Sequence, residues 1–357
     1  MKILFDGVFN SEPKSGVHKY FFNLIKHLPH KYKKFSSTSV SKSDLPNHFI
    51  PYLNHFRPHR LSFLLDYLWF RKKYQSTRFN LVHSAFYNLS KSCEFLISNG
   101  IPHIITVHDL IHELLEGKKN DVTVHRSKIL QRAKAIIAVS NNTKADLLNV
   151  YSNISEEKVS VVHHGLNQDD FFIRKKYPNK NNFLLHVGHR EGYKNFKILL
   201  PTLKSLRNKH DITLVVVGPK PTIEEKKLIS NYRLNMFIEF KIEITDEKLN
   251  LLYLECLAFV YPSLYEGFGF PLIEAMAKGT IPIASHSSCM PEILGNAGIL
   301  VKPNCSNSIV DAVHKIIEDK EFKESLESAS INRANDFSWE KNIRETKAIY
   351  ESNSTYE

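Results

Sequence analysis

The sequence YPSLYEGFGFPLIEAMAKGTIPIAS, residues 261–285, carries the clearest structural signal in the chain. A glycine-rich turn lies between two short apolar runs, with Glu266 in the turn and Glu274 just beyond it. A carboxylate accepts hydrogen bonds on two oxygens and can take both hydroxyls of a vicinal diol. Two carboxylates beside such a turn indicate a ligand that contains sugars. The alternative is that Glu274 complements a helix dipole and Glu266 is solvated.

The same turn has the features of a phosphate site. Pro271 suits the first turn of a helix and Gly279 suits the position just past a helix end, which predicts a short helix over residues 272–278. Gly267 and Gly269 let the backbone approach a ligand closely, and N–H groups at the start of a helix attract phosphate. Diphosphate, ribose and hexose together make a nucleotide sugar, so the stretch favours a nucleotide-sugar site.

Outward from this stretch, short β-branched runs alternate with helical patterns. The first strand, 1–6, is followed by apolar residues at helical spacing, and the alternation restarts after a lysine-rich linker at 174–182. Such alternation predicts parallel sheets covered by helices on both faces, and 357 residues are enough for two domains. We expect an N-terminal domain over 1–173 and a C-terminal domain over 174–337. A terminal helix, 338–357, is expected to pack on one of the two domains, and it could pack back on the N-terminal domain.

Other polar positions follow predicted strands. The motif HVGHREGYKN places Gly188, Arg190 and Lys194 after an apolar run. An arginine fork and a lysine point charge suit a diphosphate and would stabilise its leaving charge. His108 ends a strand in IITVHDL, but no HExxH glutamate accompanies it, so zinc is not expected and a structural role stays open. Gly16 lies in a strand–loop–helix segment that could present backbone N–H groups to a ligand.

Composition and charge narrow the class of protein. The four cysteines include no C-x-x-C pair, which argues against a zinc ribbon, a redox pair or a disulfide scaffold. The N-terminus lacks a secretory signal and no segment reaches transmembrane length, so we expect a cytoplasmic protein. The net charge is +11, and residues 14–78 contain thirteen Lys and Arg against two Asp. This segment predicts an anionic partner, either membrane headgroups or nucleic acid, or else scattered solvated charges.

Together these motifs resemble one family, the retaining glycosyltransferases of family 4, which have the GT-B fold. The resemblance rests on TVHDLIHEL, AVSNNTKADLL, HVGHREGYKNF, EGFGFPLIEAMAKG and MPEILGNAGILVKP, and it runs over nearly the whole chain. It implies an α/β protein with two Rossmann-like doubly wound domains facing each other across a central cleft. It also implies a metal-independent hexosyltransferase without a cofactor, acting on a nucleotide-sugar donor and a glycan or lipid-linked acceptor.

The resemblance assigns roles on the donor side. Glu274 would hold the donor ribose, and Glu266 would face the transferred sugar. Arg190 and Lys194 would neutralise the diphosphate. The further donor-binding positions that the resemblance implies are Gly188, Gly267, Phe268 and Gly269.

The resemblance also implies how the reaction proceeds. His108 would lie under the reacting sugar as a catalytic residue, together with Arg190, Lys194 and Glu266, and Gly16 would border donor and acceptor. The acceptor hydroxyl would attack on the face that the diphosphate leaves, with retention of configuration. The sequence contains no Asp-x-Asp motif to hold a metal.

Several alternatives stay open. Resemblance to bacterial surface-polysaccharide mannosyltransferases favours GDP-mannose as donor, with UDP- and dTDP-sugars as alternatives. The sequence RPHRLSFLLDYLWFRKKY, 57–74, has a leucine-rich helical face that would rest on anionic lipid at the inner face of the cytoplasmic membrane, or else pack in the core. The rival hypotheses are a glycoside hydrolase that uses Glu266 and Glu274, and a basic non-catalytic relative that binds nucleic acid or membrane. No nucleic-acid partner is expected, because the basic segment lacks a recognised motif.

Overall fold

The chain forms two compact units in the computed structural model. One unit is Met1–Gly165 with Trp339–Glu357, and the other is Leu166–Ser338. Each is an α/β unit with a parallel sheet, which confirms the predicted fold class of two doubly wound halves. The predicted linker, apart from Asn182, and the predicted helical face in 57–74, apart from five residues, lie outside the described residues. The structure describes residues 1–7, 15–37, 67–68, 70–72, 77–85, 89–115, 121–167, 182–190 and 192–355.

The first unit is built on a parallel sheet whose described strands follow the order β2-β1-β3-β4-β5-β6. The strands are β1 Lys2–Phe5, β2 Lys33–Ser36, β3 Leu81–Ala85, β4 His103–Val107, β5 Ala135–Ala138 and β6 Val159–Val161. The helices of this unit with described bounds are Gly16–His27, Lys91–Ser98, Ile111–Leu114, Asp121–Arg132, Asn141–Val150, the 3₁₀ turn Glu156–Lys158 and the terminal helix Trp339–Asn353.

Every residue of β3, β4 and β5 is buried, as expected for central strands with both faces covered. The terminal helix supplies part of that cover. Its side chains Trp339, Ile343 and Tyr350 lie in one apolar cluster with residues of β1, β3 and the helix Gly16–His27. The last helix therefore packs on the sheet of the first unit.

Lys34 shows that part of the basic segment is structural. The spacing of basic residues predicts a charged surface, yet Lys34 is 7% exposed. Its Nζ donates to Ile25 O and Leu28 O, both at 2.9 Å, at the end of the helix Gly16–His27. Helix ends leave carbonyls without partners, and a cation there also complements the helix dipole. This lysine thus terminates a helix rather than facing solvent.

The second unit contains a parallel sheet whose described strands follow the order β12-β11-β10-β7-β8-β9. The strands are β7 Phe183–Val187, β8 Thr213–Val217, β9 Ile238–Lys241, β10 Ala258–Tyr261, β11 Pro282–Ser285 and β12 Ile299–Val301. The chain starts in the middle of this sheet, moves outward through β8 and β9, and returns to the other side through β10. Strand order therefore reverses between β7 and β10, where doubly wound sheets bind ligands at the carboxyl ends of the strands.

Helices and 3₁₀ turns connect these strands. The helix after β10 differs from the predicted 272–278, because it spans Phe270–Ala277. It starts earlier because Gly269, at φ 86° in the left-handed region, is its N-cap, and it is followed by Gly279 at φ 64°. No described helix in the chain is long and apolar enough to cross a membrane. The other helical elements of this unit are Gly192–Lys194, Phe196–Ile198, Leu199–Leu206, Ile223–Asn231, Asp246–Glu255, Met290–Leu294, Ser306–Glu318 and Lys320–Ala334.

Candidate active site

Three loops meet where the strand order of the second unit reverses. They follow the carboxyl ends of the adjacent strands β7, β10 and β11. Asn195 Nδ2, in the loop after β7, donates to Pro262 O at 3.1 Å, and Leu264 N donates to Tyr193 O at 2.7 Å. Glu266 N donates to Ser288 Oγ, after β11, at 2.9 Å. The loops are therefore joined to one another by hydrogen bonds.

Lys194 and Glu266 form an ion pair at this junction. Lys194 Nζ lies 2.7 Å from Glu266 Oε1, and the side chains are only 17% and 9% exposed. Tyr261 forms a hydrogen bond to the same carboxylate, and its pKa is raised first by burial and then by the charge of Glu266. An ion pair removed from water needs such additional hydrogen bonds to offset desolvation. The sequence predicted both charged residues in the site, but not their contact.

The glycine turn leads directly into a helix, as predicted. Phe268 is 4% exposed, and its ring packs edge-on against Phe270 and Phe337. A Cβ atom on Gly269 would lie 3.3 Å from Leu272 Cδ1, so the turn is closely packed. The helix Phe270–Ala277 therefore begins at a closely packed turn that follows the carboxyl end of β10.

Glu274 lies in the next turn of that helix and is half-buried. The hydroxyl of Tyr253 donates to Glu274 Oε2 at 3.4 Å. Burial and then the Glu274 charge raise the pKa of this tyrosine well above its ordinary value. Glu274 is thus a partly accessible carboxylate on the same helix that the glycine turn begins.

Arg190 lies in the loop after β7, but its guanidinium is engaged elsewhere. Its Nε and Nη2 donate to the two carboxylate oxygens of Glu225 at 2.8 and 2.9 Å. Nη1 donates to Pro219 O at 2.8 Å and Nη2 donates to Lys220 O at 3.2 Å. Arg190 is 6% exposed. The structure therefore places Arg190 with the turn after β8 and not with Lys194 and Glu266.

His108 and Gly16 belong to the first unit. His108 follows β4 and is 7% exposed, and burial lowers its pKa to about 3, so its imidazole is neutral at physiological pH. No described group hydrogen-bonds its Nε2. The ring of Tyr20 packs edge-on against it and the ring of His164 stacks on it, with centroids 5.1 and 5.5 Å away. Gly16 is the first residue of the helix Gly16–His27, whose N-cap Ser15 accepts from His18 N.

The sequence did not predict the residues that form hydrogen bonds to the predicted site residues. Tyr261 and Ser288 contact Glu266, and Glu225 contacts Arg190. One local signal for Glu225 was present, since Thr222 and Glu225 form a capping box, and this pattern is visible in sequence. Within the described part of the chain, no cluster of three or more His, Cys, Asp or Glu side chains could hold a metal ion.

Two family models match successive parts of the chain. The model described as "Glycosyltransferase Family 4" matches residues 14–170. The model described as "Glycosyl transferases group 1" matches residues 167–333. Together they cover the candidate site residues of both units, and the terminal helix Trp339–Asn353 lies beyond the matched range.

Curated relatives with similar sequences include two O-antigen mannosyltransferases. The O-antigen chain mannosyltransferase RfbU of Salmonella typhimurium is 30% identical over 187 residues, 52% of either chain. The chain thus aligns with about half the length of that relative. The O-antigen chain mannosyltransferase B of Escherichia coli is 24% identical over 275 residues, 70% of this chain and 71% of the relative.

Solved structures with the same fold extend over nearly the whole chain. Sucrose-phosphate synthase from Thermosynechococcus elongatus has a TM-score of 0.81 at 21% identity, covering 99% of this chain and 98% of that one. HepE from Anabaena, solved in complex with UDP and glucose, has a TM-score of 0.79 at 17% identity, covering 99% and 100%. At these identities the similarity is one of fold.

Proposed function

Because the chain belongs to the family 4 glycosyltransferases with the GT-B fold, we propose that it transfers mannose from GDP-mannose to a glycan or lipid-linked glycan in surface-polysaccharide biosynthesis. The observation that carries this proposal is the Lys194–Glu266 pair at the reversal of strand order in the second unit. It puts a cation for a diphosphate beside a carboxylate for sugar hydroxyls. Mannose is favoured because the relatives reported above are O-antigen mannosyltransferases.

We assign the donor contacts of the second unit as follows. The Lys194 ammonium and the backbone N–H groups of Gly267, Phe268 and Gly269 neutralise the diphosphate, since cations and helix starts both attract anions. Glu266 accepts hydrogen bonds from the transferred sugar, and its own carboxylate is oriented by Tyr261. The half-buried Glu274 accepts from the ribose hydroxyls.

The first unit supplies the neutral imidazole of His108. Its Nε2 lacks a described partner, and its low pKa keeps it uncharged, so it can donate to or accept from a sugar hydroxyl without adding charge. Gly16, at the start of a helix, offers backbone approach to the donor and acceptor. These groups position the sugar, which is one of the two contributions to catalysis in this proposal.

The other contribution is stabilisation of the leaving group. We propose that the acceptor hydroxyl attacks the anomeric carbon on the face that the diphosphate leaves, so that configuration is retained. Negative charge then develops on the diphosphate, and in this proposal the Lys194 ammonium stabilises it. In this scheme the Lys194 ammonium and the backbone N–H groups of the glycine turn neutralise the diphosphate, and no metal ion is required.

The proposed acceptor, a glycan or lipid-linked glycan, rests on the basic segment of the sequence and on the similarity to O-antigen mannosyltransferases. A lipid-linked glycan at the inner face of the cytoplasmic membrane would suit the basic segment within 14–78. Among its described members, Lys34 caps a helix and Lys31 pairs with Glu351 at 3.3 Å. The attraction to lipid therefore depends chiefly on the remaining basic residues of the segment.

A donor panel tests the function. We expect GDP-mannose, at about 100 times its dissociation constant, to raise the melting temperature by roughly 5–10 °C, since such saturation stabilises by about 2.7 kcal/mol. UDP-glucose and dTDP-glucose should raise it less, and EDTA should change neither the shift nor the transfer rate. A larger shift in melting temperature with a UDP- or dTDP-sugar would mean that this sugar nucleotide, and not GDP-mannose, is the donor. Release of free sugar from a glycan without any nucleotide would instead support the hydrolase.

A further inference from the structure

The guanidinium of Arg190 is saturated by groups of its own unit. At least four of its five N–H groups donate to protein acceptors: two to Glu225, one to Pro219 O and one to Lys220 O. The side chains of Arg190 and Glu225 are 3% and 15% exposed. An anion could recruit this arginine only by taking its buried guanidinium away from a carboxylate and two backbone carbonyls, which costs four hydrogen bonds of a charged group.

The ion pair joins two different loops. Arg190 lies in the loop after β7, whereas Pro219 and Lys220 lie in the turn after β8. Glu225 sits in the first turn of the helix Ile223–Asn231, where its carboxylate also accepts from Thr222 N at 2.8 Å in the capping box. One glutamate therefore connects the start of that helix to the neighbouring loop.

Backbone packing and aromatic rings hold the same junction closely. A Cβ atom on Gly218 would lie 2.3 Å from Gly188 O, so the loops after β7 and β8 touch through their glycines. The guanidinium carbon of Arg190 lies 5.2 Å from the ring centroid of Phe240 and 5.9 Å from that of Phe196. These contacts favour a single, fixed placement of the arginine.

We propose that the Arg190–Glu225 ion pair is a positioning brace, meaning that it holds the donor-binding loops in place without touching the donor. Of the two predicted cations, Arg190 and Lys194, only Lys194 contacts the diphosphate. The brace sets the spacing of the loops after β7 and β8, and so holds Lys194 and its loop in place for the ligand. Glu225 becomes a residue needed for donor binding although it contacts no donor atom. This inference rests on the proposed function and changes the role that the resemblance gives to Arg190.

The charge of Glu225 is maintained by its surroundings. Burial disfavours the charged carboxylate, but the hydrogen bonds from Arg190 and Thr222 outweigh it, so the pKa lies below its ordinary value. Glutamine at this position would keep the capping box, because it is also favoured there, yet it would present an amide N–H group to a guanidinium N–H. Glu225→Gln therefore breaks the brace and spares the helix start.

The test is calorimetric titration of GDP-mannose into the full chain and its variants Arg190→Lys, Glu225→Gln and the double variant. We expect each single change to weaken binding by about tenfold, and the double change also by about tenfold, because both remove one element. Arg207→Ala is the matched control. Arg207 donates to Asp211 and to Ile212 O before β8 starts, at the amino edge of the sheet. It should lower stability and leave affinity unchanged.

Two results would overturn the brace. If Glu225→Gln binds as tightly as the unmodified chain, or more tightly, while Arg190→Lys binds weakly, Arg190 contacts the donor and Glu225 competes for it. A hundredfold loss in the double variant would likewise show independent roles. If the unmodified chain binds no nucleotide sugar, the proposed function fails. Urea unfolding then tests the brace. If the loss of unfolding free energy in the double variant equals the sum of the losses in Arg190→Lys and Glu225→Gln, the two residues act independently and the brace is excluded.

Discussion

Glu266 and Glu274 carry the same charge in different surroundings. Glu266 is 7% exposed, pairs with Lys194, and is held through its backbone by Ser288. Glu274 is half-buried and accepts from Tyr253. A buried charge that loses its partner is strongly destabilising, whereas a partly solvated carboxylate can be replaced at little cost. The two glutamates should therefore respond differently to the same substitution.

Glu274→Gln should weaken GDP-mannose binding by roughly tenfold, because an amide keeps part of the hydrogen bonding to a diol but loses the charge. Its unfolding free energy should fall by less than about 1 kcal/mol. Glu266→Gln is the comparison, since it leaves the Lys194 ammonium without its anion and should lower both affinity and stability. Calorimetry and urea unfolding measure the two effects. Unchanged affinity in Glu274→Gln would remove the ribose contact from the proposal.

At the scale of single residues, the sequence predicted the candidate site residues better than it predicted the contacts between them. Glycine turns after apolar strands are local patterns, so Lys194 and Glu266 could be placed at the edge of a sheet without a structure. Arg190 was assigned to the diphosphate from its place after an apolar strand and from the resemblance, but its partner Glu225 lies 35 positions away. Several acidic residues could have filled that place, and only the packing of the loops after β7 and β8 selects one.

Elements were predicted well where their signals are local. The helix Gly16–His27 follows the apolar spacing of its sequence, and the helix after β10 was predicted to within two residues at its start. The terminal helix Trp339–Asn353 was predicted as a helix, but its partner was left open because an amphipathic face does not name what covers it. The structure packs it on the first unit, through side chains that also form hydrogen bonds.

A buried chain of hydrogen bonds attaches that helix. The Tyr350 hydroxyl lies 2.6 Å from His83 Nδ1, and His83 Nε2 lies 2.8 Å from Thr106 Oγ1. Thr106 Oγ1 in turn lies 3.2 Å from the hydroxyl of Tyr20, whose ring packs on His108. The terminal helix is thus connected to the strand end that carries His108.

Tyr350→Phe should lower the unfolding free energy of the first unit by about 1–3 kcal/mol, because it leaves a buried ring nitrogen of His83 without its partner. Tyr32→Phe is the control, since the Tyr32 hydroxyl bonds to Glu351, a carboxylate at the surface that water can replace. The control should lose clearly less stability. Urea unfolding followed by tryptophan fluorescence measures both. Equal losses in the two variants would mean that the buried chain adds nothing to attachment of the helix.

Across the described part of the molecule, the buried histidines are unevenly distributed between the two units. Burial lowers the pKa of His103 and His108 to about 3, and the pKa values of His83 and His164 lie well below the ordinary value. All four belong to the first unit. In the second unit, burial lowers the pKa of His186 to about 4. Four residues of one type, neutral and buried together, make the first unit sensitive to acid.

The sign of this effect follows from proton binding. Below pH 6.5 the unfolded chain protonates these histidines while the folded chain does not, so stability is full above pH 6.5 and falls as the pH decreases. At pH 5 each such histidine costs about 2 kcal/mol. We expect the first unit to unfold at lower urea concentration at pH 5 than at pH 7, with a much smaller change in the second unit, which loses chiefly the contribution of His186.

The described tryptophan, Trp339, makes this measurable in the full chain. Trp339 lies in an apolar cluster of the first unit, whereas Trp69 lies outside the described residues. In the variant Trp69→Phe, fluorescence therefore follows the first unit, whereas far-ultraviolet circular dichroism follows both units. Between pH 7 and pH 5 the fluorescence midpoint should move to lower urea. The part of the dichroism change that does not coincide with the fluorescence change reports the second unit, and its midpoint should move little. A fluorescence midpoint that is independent of pH would mean that the buried histidines of the first unit bind protons as readily in the folded chain as in the unfolded chain, which their burial among Tyr20, Thr106 and one another argues against.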